Sequence, residues 1–424
     1  MHLIMDGNSD LRFKLGKIAN PKLAADGEKN FLWARNHMEA LTRLSEKHGR
    51  GKPLEGTVVG VCLHVTKETS VLIDSLVAAG AEVKLAAANP LSTQDDVAAY
   101  LATKAEVWAW RGETAKEYDW CIDEVLRQRP EVLIDDGADL HVAAHREKAK
   151  GVLGGCEETT TGVMRLMALE KEGKLRYPII AINNAKTKYL FDNRYGTGQS
   201  TFDGILRATA LLIAGKKVVV VGYGWVGKGV AARAKGLSAN VTVVEIDPIK
   251  ALEAHLDGFD VMSIEEAARE GDIFITCTGQ KGVIPYSSVE LMKSGAILAN
   301  AGHFDVEIDV KTLLGRASSV KPVRPNVDEV VLPGGKKVYL LAKGRIVNLV
   351  AAEGHPPEVM QMSFANQFMS ALYVKKNHQR LEKRVLDVPP ENENEVAFAT
   401  LDSVGISIGK ATEEQLKYAQ SWIL

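Results

Sequence analysis

The chain has 424 residues, a length that suits two or three domains of ordinary size. Hydrophobic residues make up 46% and charged residues 25%, which excludes long disordered, collagen-like and coiled-coil chains. With 52 basic against 54 acidic side chains the net charge is −2, which offers nucleic acid no electrostatic footprint.

The N-terminus carries His2, Asp6 and Asp10 around a short apolar patch, without the basic flank or small-residue cleavage site of a secretory signal. From about residue 57 short β-branched runs alternate with helical patterns. Thr57–His64 predicts a strand and Thr66–Ala79 a helix. Strand Glu82–Ala87, helix Thr93–Lys104, strand Glu106–Trp110 and helix Thr114–Arg127 follow. Strand Glu131–Asp135, helix Leu140–Lys150, strand Gly151–Gly155, helix Thr160–Glu172 and strand Pro178–Ile182 complete this half. Such alternation implies parallel βαβ units, with chemistry at the carboxyl ends of the strands. His64, Asn89, Asp135, Asp136, Glu157 and Glu158 fall there.

A helical segment, Gly204–Ile213, leads into a second strand–turn–helix at Lys217. Further strands are expected at Val241–Glu245, Asp272–Thr276, Ala296–Asn300, Lys337–Leu341 and near Arg345–Leu349. Gly354–His378 returns as a helix rich in Met and Phe, and Pro389–Glu395 reads as a polar linker before the tail. The expected fold class is α/β: two doubly wound parallel-sheet domains, one from 1–190 and 353–384, the other from 196–352. Residues 385–424 would form a small C-terminal tail suited to oligomerisation. A chain that leaves one domain, builds another and comes back gives a two-strand hinge near 190 and 353. No apolar run is long enough for a bilayer; Val218–Val221 and Ala296–Leu298 are far too short. Cys62, Cys121, Cys156 and Cys277 are scattered and form no C-x-x-C pair, so they read as reduced thiols of a cytoplasmic protein.

Lys217–Val221 followed by Gly222-Tyr-Gly224-Trp-Val226-Gly227 is a strand, a G-x-G-x-x-G turn and an Ala-rich helix. The first glycine permits the tight turn, the second lets the backbone approach a pyrophosphate, and the third allows close helix packing. Glu245 ends the next strand about 20 residues on, where an acid bonds the ribose hydroxyls and repels a 2′-phosphate. The pattern predicts NAD rather than NADP. Thr276-Cys-Thr278-Gly279 puts small residues at a later strand end, where a dinucleotide can lie close.

The polar strand ends of the first half read in more than one way. Asp135-Asp136-Gly-Ala-Asp139 packs three acids that would raise one another's pKa for proton transfer, or else cap a helix. Glu157-Glu158-Thr159-Thr160-Thr161 sets acids and hydroxyls at a strand-to-helix junction, which N-capping explains in part. Lys188, Asp192 and Asn193 crowd the hinge, though Lys188 and Asp192 could pair on a helix surface. His64, His303 and His355 follow apolar runs or glycines, and none has a second His or Cys at ligand spacing, so no metal is expected.

Together these strings resemble one family. His64-Val-Thr66-Lys-Glu68-Thr-Ser, Asn89-Pro-Leu-Ser-Thr93-Gln94-Asp95, Asp135-Asp136-Gly-Ala-Asp139 and Glu157-Glu158-Thr-Thr-Thr-Gly recur in order. So do Lys188…Phe-Asp192-Asn193-Arg-Tyr-Gly, Gly302-His303-Phe-Asp-Val-Glu-Ile-Asp, Gly344-Arg-Ile-Val-Asn348 and Gly354-His355-Pro. From about residue 10 to 424 the chain resembles the S-adenosyl-L-homocysteine hydrolases, or adenosylhomocysteinases. The resemblance implies a substrate-binding domain and a Rossmann NAD-binding domain. It implies reversible hydrolysis of S-adenosylhomocysteine to adenosine and homocysteine. The ribose 3′-hydroxyl is oxidised at the expense of tightly held NAD, a base removes the C4′ proton, and homocysteine leaves by elimination. Water then adds and the ketone is reduced again.

Position by position, the resemblance gives Lys188 and Asp192 the 3′-hydroxyl proton, Glu158 the ribose hydroxyls and Asp136 the C4′ proton. His64, with His303 nearby, matches the acid/base at C5′, and Asn193 orients Lys188 or the nicotinamide. Thr66, Glu68 and His355 match the purine pocket. Thr159, Thr160, Thr161, Asn193, Gly222, Gly224, Val226, Gly227, Glu245, Thr278, Gly302, His303 and Asn348 match the cofactor contacts. A homotetramer is implied. The chain departs from the family at Thr197, often cysteine, and at Glu353, often methionine on one wall of the purine pocket. It ends at Trp422-Ile-Leu424 without the Lys/Tyr-bearing extension by which many members reach a neighbour's NAD site. Three other readings stand beside this one: an S-inosylhomocysteine hydrolase of the same family, a non-catalytic NAD-binding regulator, and a simple NAD-dependent dehydrogenase.

Overall fold

The apolar runs become strands buried on both faces, the state that parallel sheets covered by crossover helices impose. A computed structural model describes residues 16–422. The patch around His2, Asp6 and Asp10 lies outside the described residues, as do Ile423 and Leu424.

The first half lays down β1 Gly16–Ile18, β2 Val58–Leu63, β3 Glu82–Ala87, β4 Glu106–Ala109, β5 Val132–Asp135, β6 Gly154–Glu157 and β7 Ile179–Ala181. They pair in the order β1-β4-β3-β2-β5-β6-β7, every contact parallel. The order reverses between β2 and β5, the switch point where doubly wound sheets open a crevice. Register aligns Cys62 with Asp135 and Asp135 with Glu157, so the ends of β2, β5 and β6 stand side by side.

The second sheet is built from β8 Lys217–Val221, β9 Asn240–Val244, β10 Asp260–Met262, β11 Ile273–Thr276, β12 Ala296–Asn300, β13 Ser319–Arg324, β14 Val327–Val331 and β15 Lys337–Leu341. Its order is β10-β9-β8-β11-β12-β15-β14-β13, with a switch point between β8 and β11. The chain is thus an α/β protein of two doubly wound sheets. β14 runs antiparallel to both β13 and β15, a hairpin extension that the helix-and-strand alternation did not predict.

The chain crosses between the sheets through Lys186–Tyr189, a π-helical turn at Asp192–Gly196 and the helix Thr197–Thr209. That helix begins and ends earlier than the Gly204–Ile213 expected, and it stops where Ala210 adopts φ 54°. The return contradicts the strand expected near Arg345–Leu349. Asn300 and Ile346 share one isolated bridge, and Val347–Val350 is a short helix. A short apolar run reads the same in either state, and here the positive-φ residues Ala342, Lys343 and Gly344 break the extended chain first.

The helix Pro357–Asn377 then runs through the first domain, buried on nearly all sides. Its Phe364, Phe368 and Met369 join the core, while its buried Ser363, Asn366 and Gln367 need polar partners. Beyond it the sequence misleads twice. β16, Val385–Asp387, pairs in parallel with β7 at the sheet edge, although it falls within the expected tail. Pro389–Glu395, expected as a linker, enters the helix Pro390–Ser403. Proline at the first helical position and Glu391 and Glu393 in the first turn suit a helix N-terminus, so the composition that reads as linker also reads as helix start. All four cysteines are free and buried. Among the described residues no helix is long and apolar enough to cross a membrane.

Candidate active site

The two switch points face each other across a cavity of about 560 Å³. His64, Asp136, Glu158, Lys188, Asp192, Asn193 and His303 all line it, as do Thr66, Glu68 and His355. The helix Lys67–Ala78 begins directly after β2, the loop 136–138 follows β5, and Glu158 follows β6. Strand ends are rigid mounts, so acids and bases scattered over the sequence meet within side-chain reach.

Lys188 is the hub. Its Nζ lies 2.7 Å from Asp192 Oδ2 and 3.8 Å from Glu158 Oε1, and it donates to Asn193 Oδ1 at 2.9 Å. Lys188 and Asp192 are both 4% exposed, so they form a buried pair rather than a helix-surface one. Burial opposes the charge on Lys188, yet Asp192 and Glu158 hold its pKa above the ordinary value. Burial likewise opposes the charge on Asp192, and Lys188 and His355 outweigh it to hold that carboxyl well below its usual range. His355 Nδ1 donates to Asp192 Oδ1. Its Nε2 then accepts from Asn348 Nδ2 at 3.1 Å and from Thr197 Oγ1 at 3.1 Å. Thr197 therefore serves as a hydrogen-bond partner at the position often held by cysteine in the resembling family.

Glu158 accepts from Ser363 Oγ and, at 2.6 Å, from Gln367 Nε2, both on the buried return helix. Its carboxyl is pushed up to about 7 by burial, with Lys188 pulling it down and Asp192 pushing it up. A carboxyl whose folded pKa is raised is most favourable when protonated. Its contribution is present below the unfolded value and lost as pH rises through the folded one. Thermal unfolding of wild type and Glu158→Gln, compared at pH 5 and pH 8, should show the variant gaining relative stability on the order of 2–3 kcal/mol at the higher pH. A difference independent of pH would show that Glu158 does not titrate in this window.

A second cluster holds His64, Asp136 and His303, whose ligating atoms lie within 4.8 Å of one another. His64 Nδ1 shares a hydrogen bond of 2.7 Å with Ser92 Oγ, which also lies 3.1 Å from Asn89 O. His64 Nε2 faces Asp136 Oδ2 at 3.6 Å. Burial lowers the His64 pKa to about 4, against the pull of Asp136, so the ring is neutral near pH 7. His303 Nδ1 lies 3.5 Å from Asp136 Oδ1.

The other acids of these strings are structural. Asp135 accepts the Asp136 N–H at 2.9 Å and the His141 N–H at 2.8 Å, while Asp139 accepts from Tyr118 and Arg165. Glu157 Oε1 accepts the Gly137 N–H at 2.8 Å and the Thr159 N–H at 2.9 Å, tying the loop that carries Asp136 to the next helix.

Across the cavity, Thr159, Thr160, Thr161, Gly224, Val226, Thr278, Gly279 and Gly302 line a cradle fit for a dinucleotide. Gly222 turns at φ +101°, a conformation that favours glycine, and a Cβ at Gly224 would meet nothing within 4 Å, so a ligand can approach its backbone. Thr161 Oγ1 is buried on the cavity wall without a hydrogen-bond partner, an orphan that a polar ligand would satisfy. Gly222, Gly227, Glu245 and Asn348 do not line the cavity. The two glycines shape its turn, Asn348 stands behind His355, and the Glu245 carboxylate accepts the Tyr223 N–H at 2.7 Å from the end of β9.

Sequence reasoning missed several supporting residues. Glu307 accepts from Thr278 N–H, Thr278 Oγ1 and Gly279 N–H, at 2.8, 2.6 and 2.9 Å, and so fixes the loop after β11 that lines the cavity. Asn300 holds the Gly302 loop through its Oδ1 and Nδ2. Asn183, Ser363 and Gln367 complete the shell around Lys188 and Glu158. Only Glu307 had a signal, since it lies inside the Gly302-His303-Phe-Asp-Val-Glu string.

Residues 16–153 match the family model described as S-adenosyl-L-homocysteine hydrolase, and residues 193–354 match the NAD binding domain of S-adenosyl-L-homocysteine hydrolase. Over 408 residues the chain is 54% identical to the adenosylhomocysteinase of Sulfurisphaera tokodaii, covering 96% of this chain and 98% of the relative. It is 54% identical over 405 residues to the adenosylhomocysteinase of Aquifex aeolicus, with 94% and 97% covered. It is also 52% identical over 410 residues to the S-inosyl-L-homocysteine hydrolase of Methanocaldococcus jannaschii, with 96% and 99% covered.

Proposed function

The chain belongs to the S-adenosyl-L-homocysteine hydrolase family, and from that premise we propose that it hydrolyses S-adenosylhomocysteine reversibly to adenosine and homocysteine with NAD as resident cofactor. One observation carries the reading: a buried Lys188–Asp192–Glu158 cluster and a neutral His64 beside Asp136 share one cavity with a dinucleotide cradle.

When bound, NAD supplies reversible oxidation at the ribose 3′ carbon. The chain's residues supply the positioning and the proton traffic. Glu158 binds the ribose hydroxyls, and Lys188 with Asp192 handles the 3′-hydroxyl proton. An ion-paired lysine is charged and cannot accept a proton, so the Lys188–Asp192–His355 chain must shed one before it takes one. Asp136 removes the C4′ proton, which a neighbouring ketone has made acidic. His64, neutral near pH 7 and lining the cavity, serves the C5′ leaving group and the incoming water, with His303 alongside. Asn193 orients Lys188. Thr66, Glu68 and His355 receive the purine, and Glu245 takes the cofactor ribose. Closure about the two crossing segments would keep water from the reactive ketone.

The alternative substrate is S-inosylhomocysteine, favoured by the name of the Methanocaldococcus jannaschii relative. Homotetrameric assembly in the cytoplasm is part of the proposal. Exposed Ile249, Leu252 and Leu256 on one helix, and Leu416, Tyr418 and Trp422 near the C-terminus, support assembly, since side chains of this kind are covered when copies pack.

The test is thiol release from S-adenosylhomocysteine and S-inosylhomocysteine, each supplied alone to NAD-loaded protein of sedimentation-defined size. Release from the adenosyl compound, with no net change at the nicotinamide absorbance, is expected. Release from neither sinks the hydrolase, accumulating NADH marks a dehydrogenase, and an active monomer removes the tetramer.

A further inference from the structure

The wall of the purine pocket carries an ion-pair chain that nothing above uses. Lys67 Nζ lies 3.0 Å from Glu353 Oε2 and 3.2 Å from Glu68 Oε1. Arg207, on the helix Thr197–Thr209, holds the other Glu353 oxygen at 3.0 Å. The backbone is tied as well: Gln94 accepts the Lys67 N–H at 3.1 Å and donates to Glu353 O at 3.4 Å. Glu353 thus joins the first turn of one domain's helix to a helix of the other, at the point where the chain returns.

The chain matters because of what it leaves open. Glu68 lines the cavity and Lys67 does not. Glu68 Oε1 is buried, and the Lys67 ammonium at 3.2 Å is its ion-pair partner. A base entering the pocket therefore meets a carboxylate that still has acceptor capacity on its cavity side. The 6-amino group of adenine satisfies it directly. A 6-oxopurine offers its N1–H to the same oxygen, but its O6 then needs a donor close by. Thr66 and Thr69 offer hydroxyls on the cavity wall, and the cationic donor beside Glu68 is the Lys67 ammonium, which Glu353 holds outside the cavity. Burial opposes the charge on Lys67, yet Glu68 and Glu353 keep its pKa above the ordinary value, so Lys67 stays a cation and a donor.

We infer that Glu353 is a specificity-determining positioning residue: by tethering Lys67 outside the pocket it selects a 6-aminopurine over a 6-oxopurine. This rests on the proposed hydrolase reading, in which the cavity wall at Thr66, Glu68 and His355 receives the base. Released from Glu353, the flexible lysine can turn into the pocket, where it repels a 6-amino group and donates to a 6-oxo group.

The experiment titrates NAD-loaded protein with the 3′-deoxy forms of adenosine and inosine, which lack the hydroxyl that is oxidised, so that the pocket is read without turnover. Wild type should favour the adenosine form by about tenfold or more. Glu353→Met should narrow that preference by about tenfold, chiefly through tighter binding of the inosine form. Lys67→Met combined with Glu353→Met should restore it, because the released donor is gone. A merely structural role for Glu353 would weaken both nucleosides alike and leave their ratio in place. A ratio within about twofold of wild type in Glu353→Met, a double variant that stays narrowed, or a wild type that prefers the inosine form would each overturn the inference. Thiol release is measured separately: its absence defeats the hydrolase reading, while the two binding constants still decide the role of Glu353.

Discussion

Lys188→Ala is expected to reduce thiol release from S-adenosylhomocysteine by about three orders of magnitude or more, the range that loss of a positioned proton carrier covers. The NAD content of the purified protein should stay near that of wild type, because Lys188 lies on the nucleoside side of the cavity and the glycine turn is untouched. Stability is the complication. Removing the ammonium strands Asp192 and Glu158 as buried carboxylates, and breaking such a pair costs about 3–5 kcal/mol. Glu158, already raised to about 7, can take up a proton, so the loss should be milder at pH 6 than at pH 8. Lys188→Met combined with Asp192→Asn removes both charges and should recover much of the melting temperature with no recovery of turnover. That separates chemistry from folding. Wild-type rates in either variant would remove Lys188 from the reaction.

Gly227→Ala should cost the protein both its cofactor and its stability. A Cβ there would sit 1.9 Å from Gly222 O, a backbone atom of the turn itself rather than the end of a flexible side chain. NAD affinity should fall on the order of a hundredfold, with a clear drop in melting temperature. Gly224→Ala is the matching control. Its Cβ meets nothing within 4 Å, so the turn should fold normally, yet the methyl group would occupy the space through which a pyrophosphate approaches the backbone. Cofactor released on denaturation, counted per subunit, reads the first effect and thermal unfolding the second. Full NAD occupancy in Gly227→Ala would show that this turn is not the cofactor cradle.

The glycine turn and the lysine cluster also show how differently the two halves of the site could be read. Gly222-Tyr-Gly224-Trp-Val226-Gly227 is legible because its constraint is local: three glycines, a strand before and a helix after. Strand positions were legible for the same reason, since β-branched apolar runs such as Val218–Val221 suit a doubly covered sheet and little else. Lys188 and Asp192 were visible only as a pair four residues apart, equally at home on a helix surface. Of the three acids in Asp135-Asp136-Gly-Ala-Asp139, only Asp136 faces the cavity. Residue type alone could not single it out.

By itself the sequence determined the alternation of strands and helices, the dinucleotide turn with its acid at Glu245, and, through ordered strings, the family. Each of those depends on contacts between near neighbours along the chain. The tertiary structure alone decided that Ser363 and Gln367 grip Glu158 from a helix some two hundred residues away, that β16 closes the first sheet, and that Glu353 stands between Lys67 and Arg207. Those contacts join segments far apart in the sequence, and no local propensity records which distant side chain a buried charge will find.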